Sequence, residues 1–237
     1  MTKLLFIQAS PRGKQSKSIQ VAQTYLDALT SKNPSLEIDV LPLWETALPA
    51  FDGDPAFCEL LQPKLDGGAF AVELEGQVAA EQSYVGHSAV LRTLLRDASG
   101  AEVEITDFAP RWRQHGRFYR PVMLLRRIRA LQGKPRIRVR LEPLADWGAR
   151  VPERTWGSNH VRYLLPGIVM RATTDLPVRL LRDGLPFVLD QPVHIVFGPD
   201  ETLARPIRGF VEEAEERTLD YWSEWTRYLS IPFDWQD

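Results

Sequence analysis

Three serines, Ser10, Ser16 and Ser18, lie between a short apolar run and a stretch of helical spacing, where their hydroxyls suit an anion. Lys3–Ala9 reads as a buried parallel strand that ends in Ser10-Pro11-Arg12-Gly13. From Ser16 to Ser31, Ile19, Val21, Ala22, Tyr25, Leu26 and Leu29 recur at helical intervals. At the start of such a helix the backbone N–H groups point outward and the dipole favours negative charge, and nearby hydroxyls add donors. Ser16 or Ser18 also suits the N-cap, so the same serines can serve the helix alone. Leu36–Leu43 alternates Leu36, Ile38 and Val40 as a second strand, which makes the first fifty residues a βαβ segment.

Other reactive residue types form no constellation. Inverting glycoside hydrolysis, for example, needs two carboxylates roughly 6.5–9.5 Å apart. Asp107 in TDFAP and Asp200-Glu201 in GPDE are the tempting acids. The first reads as closing a strand-end turn and the second as capping a turn. His87, His115, His160 and His194 lack metal-ligand spacing, so no metal site is expected. Cys58 is the single cysteine, which excludes an intrachain disulfide, and it reads as a small buried hydrophobe rather than a nucleophile. With neither a G-x-S-x-G elbow nor a G-x-G-x-x-G turn, no catalytic residue is assigned.

The elements beyond the first fifty residues change character. AVELEG, VLRTLLRD, VEITDFAP, RIRVRLEP, IVMRATTD, VRLLRD, FVLD and VHIVFG are short runs separated by Gly, Pro, Asn and Asp, as in an antiparallel β-sandwich. A final helix follows Pro206, with Glu212, Glu213, Glu215 and Glu216 in its N-terminal half. Its Phe210, Ala214, Thr218, Trp222, Trp225 and Leu229 share one face, flanked by Tyr221 and Tyr228. The expected fold is mainly β, an antiparallel sandwich with a C-terminal helix, preceded by a short βαβ segment. The expected divisions are residues 1–50, 51–205 and 206–237.

Net charge is −2, which offers no footprint for nucleic acid. The basic run Arg126–Arg140 alternates with Ile128, Leu131, Ile137 and Val139 and reads as two solvated strand faces. No run approaches the ~20 apolar residues of a membrane span. The N-terminal LLFIQA is too short for a signal-peptide core. A cytoplasmic protein is therefore expected.

Two resemblances add to this reading. From Phe51 onward, FDGDPAFCELL, GGAFAVELEG, QSYVGHSAVLRTLLRD, ITDFAPRWRQHGRFYRP, LLRRIRALQGKPRIRVRLEPLADWGA, GSNHVRYL, FGPDE and TLDYWSEWTRYLSIPFDWQD resemble the N-terminal β-sandwich of bacterial glycoside hydrolase family 15, the glucoamylase- and trehalase-like proteins. In that family a helical barrel with the catalytic carboxylates follows, so the resemblance implies an accessory domain ending before its enzyme. MTKLLFIQASPRGKQSKS and LEIDVLPLWETALPAFDGD instead resemble the start of FMN-dependent NADH-azoreductases, which are flavodoxin-like. That resemblance implies an FMN phosphate held by Ser10, Ser16 and Ser18 with the Lys17 backbone between the last two. The two meet at Phe51–Asp54, as in a fusion.

Coverage favours the larger segment. The expected function is a non-catalytic sandwich domain of a glycoside hydrolase family 15 protein, without independent catalysis. The alternative is an FMN-dependent oxidoreductase. No cofactor is expected of the chain as a whole, FMN being the one candidate. Self-association through the C-terminal helix is the expected partnership, carbohydrate enters through resemblance only, and neither nucleic acid nor membrane is expected.

Overall fold

The computed structural model describes residues 3–8, 16–34, 36–42, 55–59 and 65–227. The chain divides into two compact units, Met1–Gly53 and Asp54–Asp237. The junction expected at Phe51–Asp54 and the last residues, including Tyr228 and Leu229, lie outside the described residues.

In the first unit, β1 (Lys3–Gln8), α1 (Lys17–Lys32) and β2 (Glu37–Pro42) follow one another. β1 and β2 pair in parallel, Lys3 opposite Glu37 and Gln8 opposite Pro42. Parallel neighbours cannot be joined by a tight turn, and the helix makes the crossover. The inward face of α1 is narrower than its apolar residues suggest. Leu26 is buried and Ile19, Ala22 and Leu29 are half-buried, whereas Val21 and Tyr25 stand exposed. Thr24, Thr30 and Ser31 each turn a hydroxyl back to the carbonyl four residues earlier, which accommodates polar residues inside the helix.

The second unit is mainly β and antiparallel. Its first strands are β3 (Ala69–Leu74), β4 (Gln77–Tyr84), β5 (Leu91–Asp97), β6 (Glu102–Phe108), β7 (Trp112–Gln114) and β8 (Arg117–Tyr119). There follow β9 (Leu124–Gln132), β10 (Arg136–Glu142), β11 (Glu153–Trp156), β12 (His160–Leu165) and β13 (Ile168–Thr174). Last come α2 (Val178–Arg182), β14 (Phe187–Val188), β15 (Val193–Pro199) and α3 (Ile207–Thr226). An eight-stranded sheet runs β11-β12-β13-β15-β9-β6-β5-β4, a three-stranded sheet runs β14-β10-β3, and β7-β8 form a separate hairpin. Among the described residues no sheet closes into a barrel.

Two apolar layers cover the large sheet. On one face Ile105, Ile128, Tyr163, Ile195 and Phe197 share a core with Leu74, Ile137, Val139 and Leu141 of the small sheet. The Tyr163 hydroxyl crosses this core to donate to the Leu141 carbonyl at 2.9 Å. On the other face Phe108, Leu125 and Val196 meet Val211 and Ala214 of α3. Strands covered on both faces lose the simple alternation of a half-buried strand, and β15 is accordingly buried almost throughout.

One expected strand is a helix. VRLLRD forms α2, with Val178 and Leu181 buried three residues apart. Pro177 fixes the turn before it, and Gly184 adopts φ +57° just after it, supplying the left-handed residue that ends many helices. A short apolar run does not by itself distinguish strand from helix. The final helix follows Pro206 as expected, but its first turn holds no acidic residue and Trp225 at its far end is exposed.

Candidate functional site

Ser16 occupies the position before α1 with φ −75° and ψ 120°, the extended geometry of an N-cap, yet its side chain closes no bond onto the helix. Its hydroxyl instead meets that of Ser18 at 2.9 Å. Ser16 is buried, while Lys17 and Ser18 are exposed. The first intrahelical bond runs from Gln20 N–H to the Ser16 carbonyl at 3.0 Å. The N–H groups of Lys17, Ser18 and Ile19 therefore precede the helical ladder. The first turn has no acidic residue, so no side-chain carboxylate there offsets the positive end of the helix dipole. Paired hydroxyls beside such N–H groups form a donor set for a tetrahedral oxyanion. The structure brings Ser16, Lys17 and Ser18 together at the helix start; Ser10 lies outside the described residues.

Two of the acids singled out in the second unit, Asp107 and Asp200, are occupied, whereas Glu201 is exposed and makes no ion pair among the described residues. Asp107 closes no turn: it lies within β6, and its two oxygens take Arg126 Nε at 2.6 Å and a terminal guanidinium nitrogen at 3.0 Å. Arg126 also donates to the Phe70 carbonyl at 2.8 Å and stacks 3.8 Å from the Phe70 ring centroid. Asp200 accepts from Arg162 Nε at 2.8 Å, so its carboxylate serves an ion pair. On β10 the basic run shows the expected solvated face, with Arg136 and Arg138 exposed, but on β9 it departs from it. Arg127 reaches Glu215 of α3 at 2.9 Å, and Arg129 reaches buried Glu104 at 2.7 Å. Burial pushes the Glu215 carboxyl above its ordinary range, against the pull of Arg127.

The histidines remain apart from any metal-ligand cluster among the described residues. Sequence spacing gave no sign of His194 and Asp175, nineteen residues apart, which pair at 2.6 Å through Nδ1 while His194 N–H holds the other carboxylate oxygen at 2.8 Å. His194 is fully buried, and its Nε2 has no partner among the described residues. This geometry anchors a strand rather than presenting a base to a substrate. Cys58 is buried. The legible signal for the ion pairs was opposite charge on two strand-like runs, Glu104 and Asp107 against Arg129 and Arg126, which become cross-strand neighbours.

Comparison with known proteins places the similarity at the N-terminus, where the flavodoxin-like fold family matches residues 2–85. Over 60 residues the chain is 52% identical to an FMN-dependent NADH:quinone oxidoreductase of Ruegeria pomeroyi, spanning 25% of this chain and 29% of that protein. It is 43% identical over 53 residues to an FMN-dependent NADH:quinone oxidoreductase of Desulfotalea psychrophila, spanning 22% and 25%. It is 46% identical over 50 residues to FMN-dependent NADH:quinone oxidoreductase 2 of Pseudomonas syringae pv. tomato, spanning 21% and 24%. The chain thus spans 24% to 29% of the length of these relatives. No solved structure matches it. The family match runs past Gly53 into β3 and β4, whose partners are antiparallel strands.

These matches overturn the glycoside hydrolase reading. The similarity lies in the segment that coverage had ranked second, and nothing found supports a glycoside hydrolase or a carbohydrate-directed protein. Alternating strands and turn residues are what any antiparallel two-sheet unit requires, so such words carry fold more than chemistry. The expectation of no cofactor is likewise revised, because the relatives are named as FMN-dependent.

Proposed function

We propose that Ser10, Ser16, Lys17 and Ser18 form the phosphate-binding start of an FMN site and that the chain acts as an FMN-dependent oxidoreductase. NADH as electron donor and a quinone as acceptor follow from the names of its relatives. The observation that carries this reading is the buried Ser16 hydroxyl, which occupies the cap position but turns to Ser18 instead of its own helix. The chemistry that FMN supplies when bound is two-electron transfer between NADH and a quinone. The chain's own part is to hold the phosphate. The Ser16 and Ser18 hydroxyls and the Lys17 and Ser18 N–H groups donate to its oxygens, and the N-terminus of α1 stabilises its charge. Ring contacts are not assigned to any described residue.

The test is titration of FMN by fluorescence quenching against the full chain, with riboflavin, which lacks the phosphate, as control. FMN is expected to bind and riboflavin to bind far less. Hydrogen bonds to a charged group contribute about 1.5–3 kcal/mol each. Ser16→Ala with Ser18→Ala should therefore weaken FMN at least about tenfold. Equal affinity for both flavins, or none for either, would sink the assignment.

A further inference from the structure

The β7–β8 hairpin differs in charge from the rest of its unit. Residues 110–121, PRWRQHGRFYRP, contain Arg111, Arg113, Arg117 and Arg120 and no Asp or Glu. Elsewhere in the unit arginines such as Arg126, Arg140 and Arg162 find carboxylates. None of the four hairpin arginines makes an ion pair among the described residues, and three of them are exposed. The hairpin is held in place by its turn, His115 at φ 48° and Gly116 at φ 72°, and by buried Trp112 stacked on Tyr119.

Beside it lies α3. Phe118 of the hairpin meets Tyr221 of the helix, and Arg111 sits 5.2 Å from the Tyr221 ring centroid. The stripe that is buried at Val211, Ala214 and Thr218 continues through Trp222 to Trp225, which is 52% exposed. Phe118 is 50% exposed. Around the helix, Glu216, Asp220 and Glu224 recur every fourth residue as an exposed acidic row with no ion pair among the described residues. One region therefore presents unpaired cations, exposed aromatic rings and unpaired carboxylates, and the fold does not bring the two signs together.

We infer that this region is the contact between two copies of the chain, related by a two-fold axis. The arginine hairpin of each copy then meets the acidic row of the other, and Phe118 and Trp225 are covered between them. A purely anionic partner would satisfy the arginines but confront the carboxylates. A second copy supplies both signs at once, as a two-fold contact requires. Arg, Tyr and Trp are the side chains that most often anchor such contacts. A net charge of only −2 sets little overall repulsion against association.

The experiment is the mass of the full chain in solution by light scattering. Twice the 27.0 kDa chain mass is expected, falling toward that mass in high salt. Arg113→Glu with Arg117→Glu should give a monomer, as should Asp220→Lys with Glu224→Lys. Mixing the two reversed proteins should restore a heterodimer. Trp225→Glu should also give a monomer that still unfolds cooperatively, with a melting temperature that no longer depends on protein concentration. A monomeric wild type, or reversed proteins that stay dimeric separately or fail to pair when mixed, would overturn the assignment. A wild type that stays monomeric but retards a single-stranded oligonucleotide would also overturn it, in favour of nucleic acid.

Discussion

The two units treat polar side chains in opposite ways. In the second, charge is consumed internally: Arg126 is held by Asp107, the Phe70 carbonyl and the Phe70 ring, and Arg127 and Arg129 are held by Glu215 and Glu104. In the first, the hydroxyls at the start of α1 engage only each other, since Ser16 turns to Ser18, leaves its own helix uncapped, and no carboxylate occupies the first turn. The contrast separates groups that hold a fold from groups left available to a ligand. Charge alone is a poor guide to function here. The most conspicuous ionic cluster is architectural, and the candidate site is built from hydroxyls and backbone.

The comparison breaks most sharply at Arg126. Its residue is 8% exposed, so Arg126→Ala strands the Asp107 carboxylate and removes the bond to Phe70. Breaking a buried pair in this way costs about 3–5 kcal/mol, and denaturant unfolding of the second unit should show it. Replacing both partners, Arg126→Met with Asp107→Leu, should recover most of that loss, because the desolvation of both charges disappears. Neither change should alter FMN affinity if the flavin site belongs to the first unit.

The serines should behave in the reverse manner. An N-cap serine that bonds its helix is worth about 0.5–2 kcal/mol. Ser16 makes no such bond, so Ser16→Ala should destabilise the chain by less than about 0.5 kcal/mol, below that range. The same substitution should still weaken FMN binding. A large loss of stability with unchanged affinity would make Ser16 a structural residue and erase the contrast.

A local effect is expected at Thr218, buried on α3, whose hydroxyl accepts from Arg111 N–H at 3.1 Å. Thr218→Val keeps the shape but leaves that N–H without its acceptor, at a cost of about 1–3 kcal/mol if water cannot reach it and less if it can. Hydrogen exchange at Arg111 should quicken in the variant. If exchange there is unchanged, the bond does not restrain the hairpin.

How far the sequence could show this division depends on which residues bear on it. The βαβ order of the first unit was legible because an apolar run, a helical period and an alternating run are local patterns. Strands such as β5, β6, β10, β13 and β15 were legible for the same reason, whereas β4, β7, β8, β11 and β12 were not singled out and the short apolar run of α2 fits two periods. Asp107 and Arg126 were misread because their pairing depends on which strands become neighbours, and β6 beside β9 is a long-range choice. The β9 part of the basic run was misread because a solvated face and a face covered by α3 share one alternating pattern, while β10 alternates exposed Arg136 and Arg138 with buried Ile137 and Val139 as expected. Function was misread because length of resemblance was weighed above its specificity, and strand-and-turn words recur wherever two sheets pack.

The smallest expected effect is the most diagnostic of the sign of buried charge. Glu215 is pushed above its ordinary value of 4.5, first by burial and with Glu104 adding to it, while Arg127 and Arg129 pull it down. A carboxyl whose folded value is raised binds its proton more tightly when folded than when unfolded. Its contribution therefore grows as pH falls through the raised value, is complete below the unfolded value, and is absent well above both. The lowered carboxyls of Asp97, Asp183 and Glu213 have the opposite sign, so the raw pH profile mixes the two. Glu215 is isolated by the difference between the melting temperatures of the wild type and Glu215→Gln. That difference should shift in favour of the wild type on acidification from neutral pH toward 4.5. A shift in favour of the variant would mean that the Arg127 pair at 2.9 Å outweighs burial. The ionic cluster under α3 would then be an attraction held at neutral pH rather than a burden tolerated by the fold.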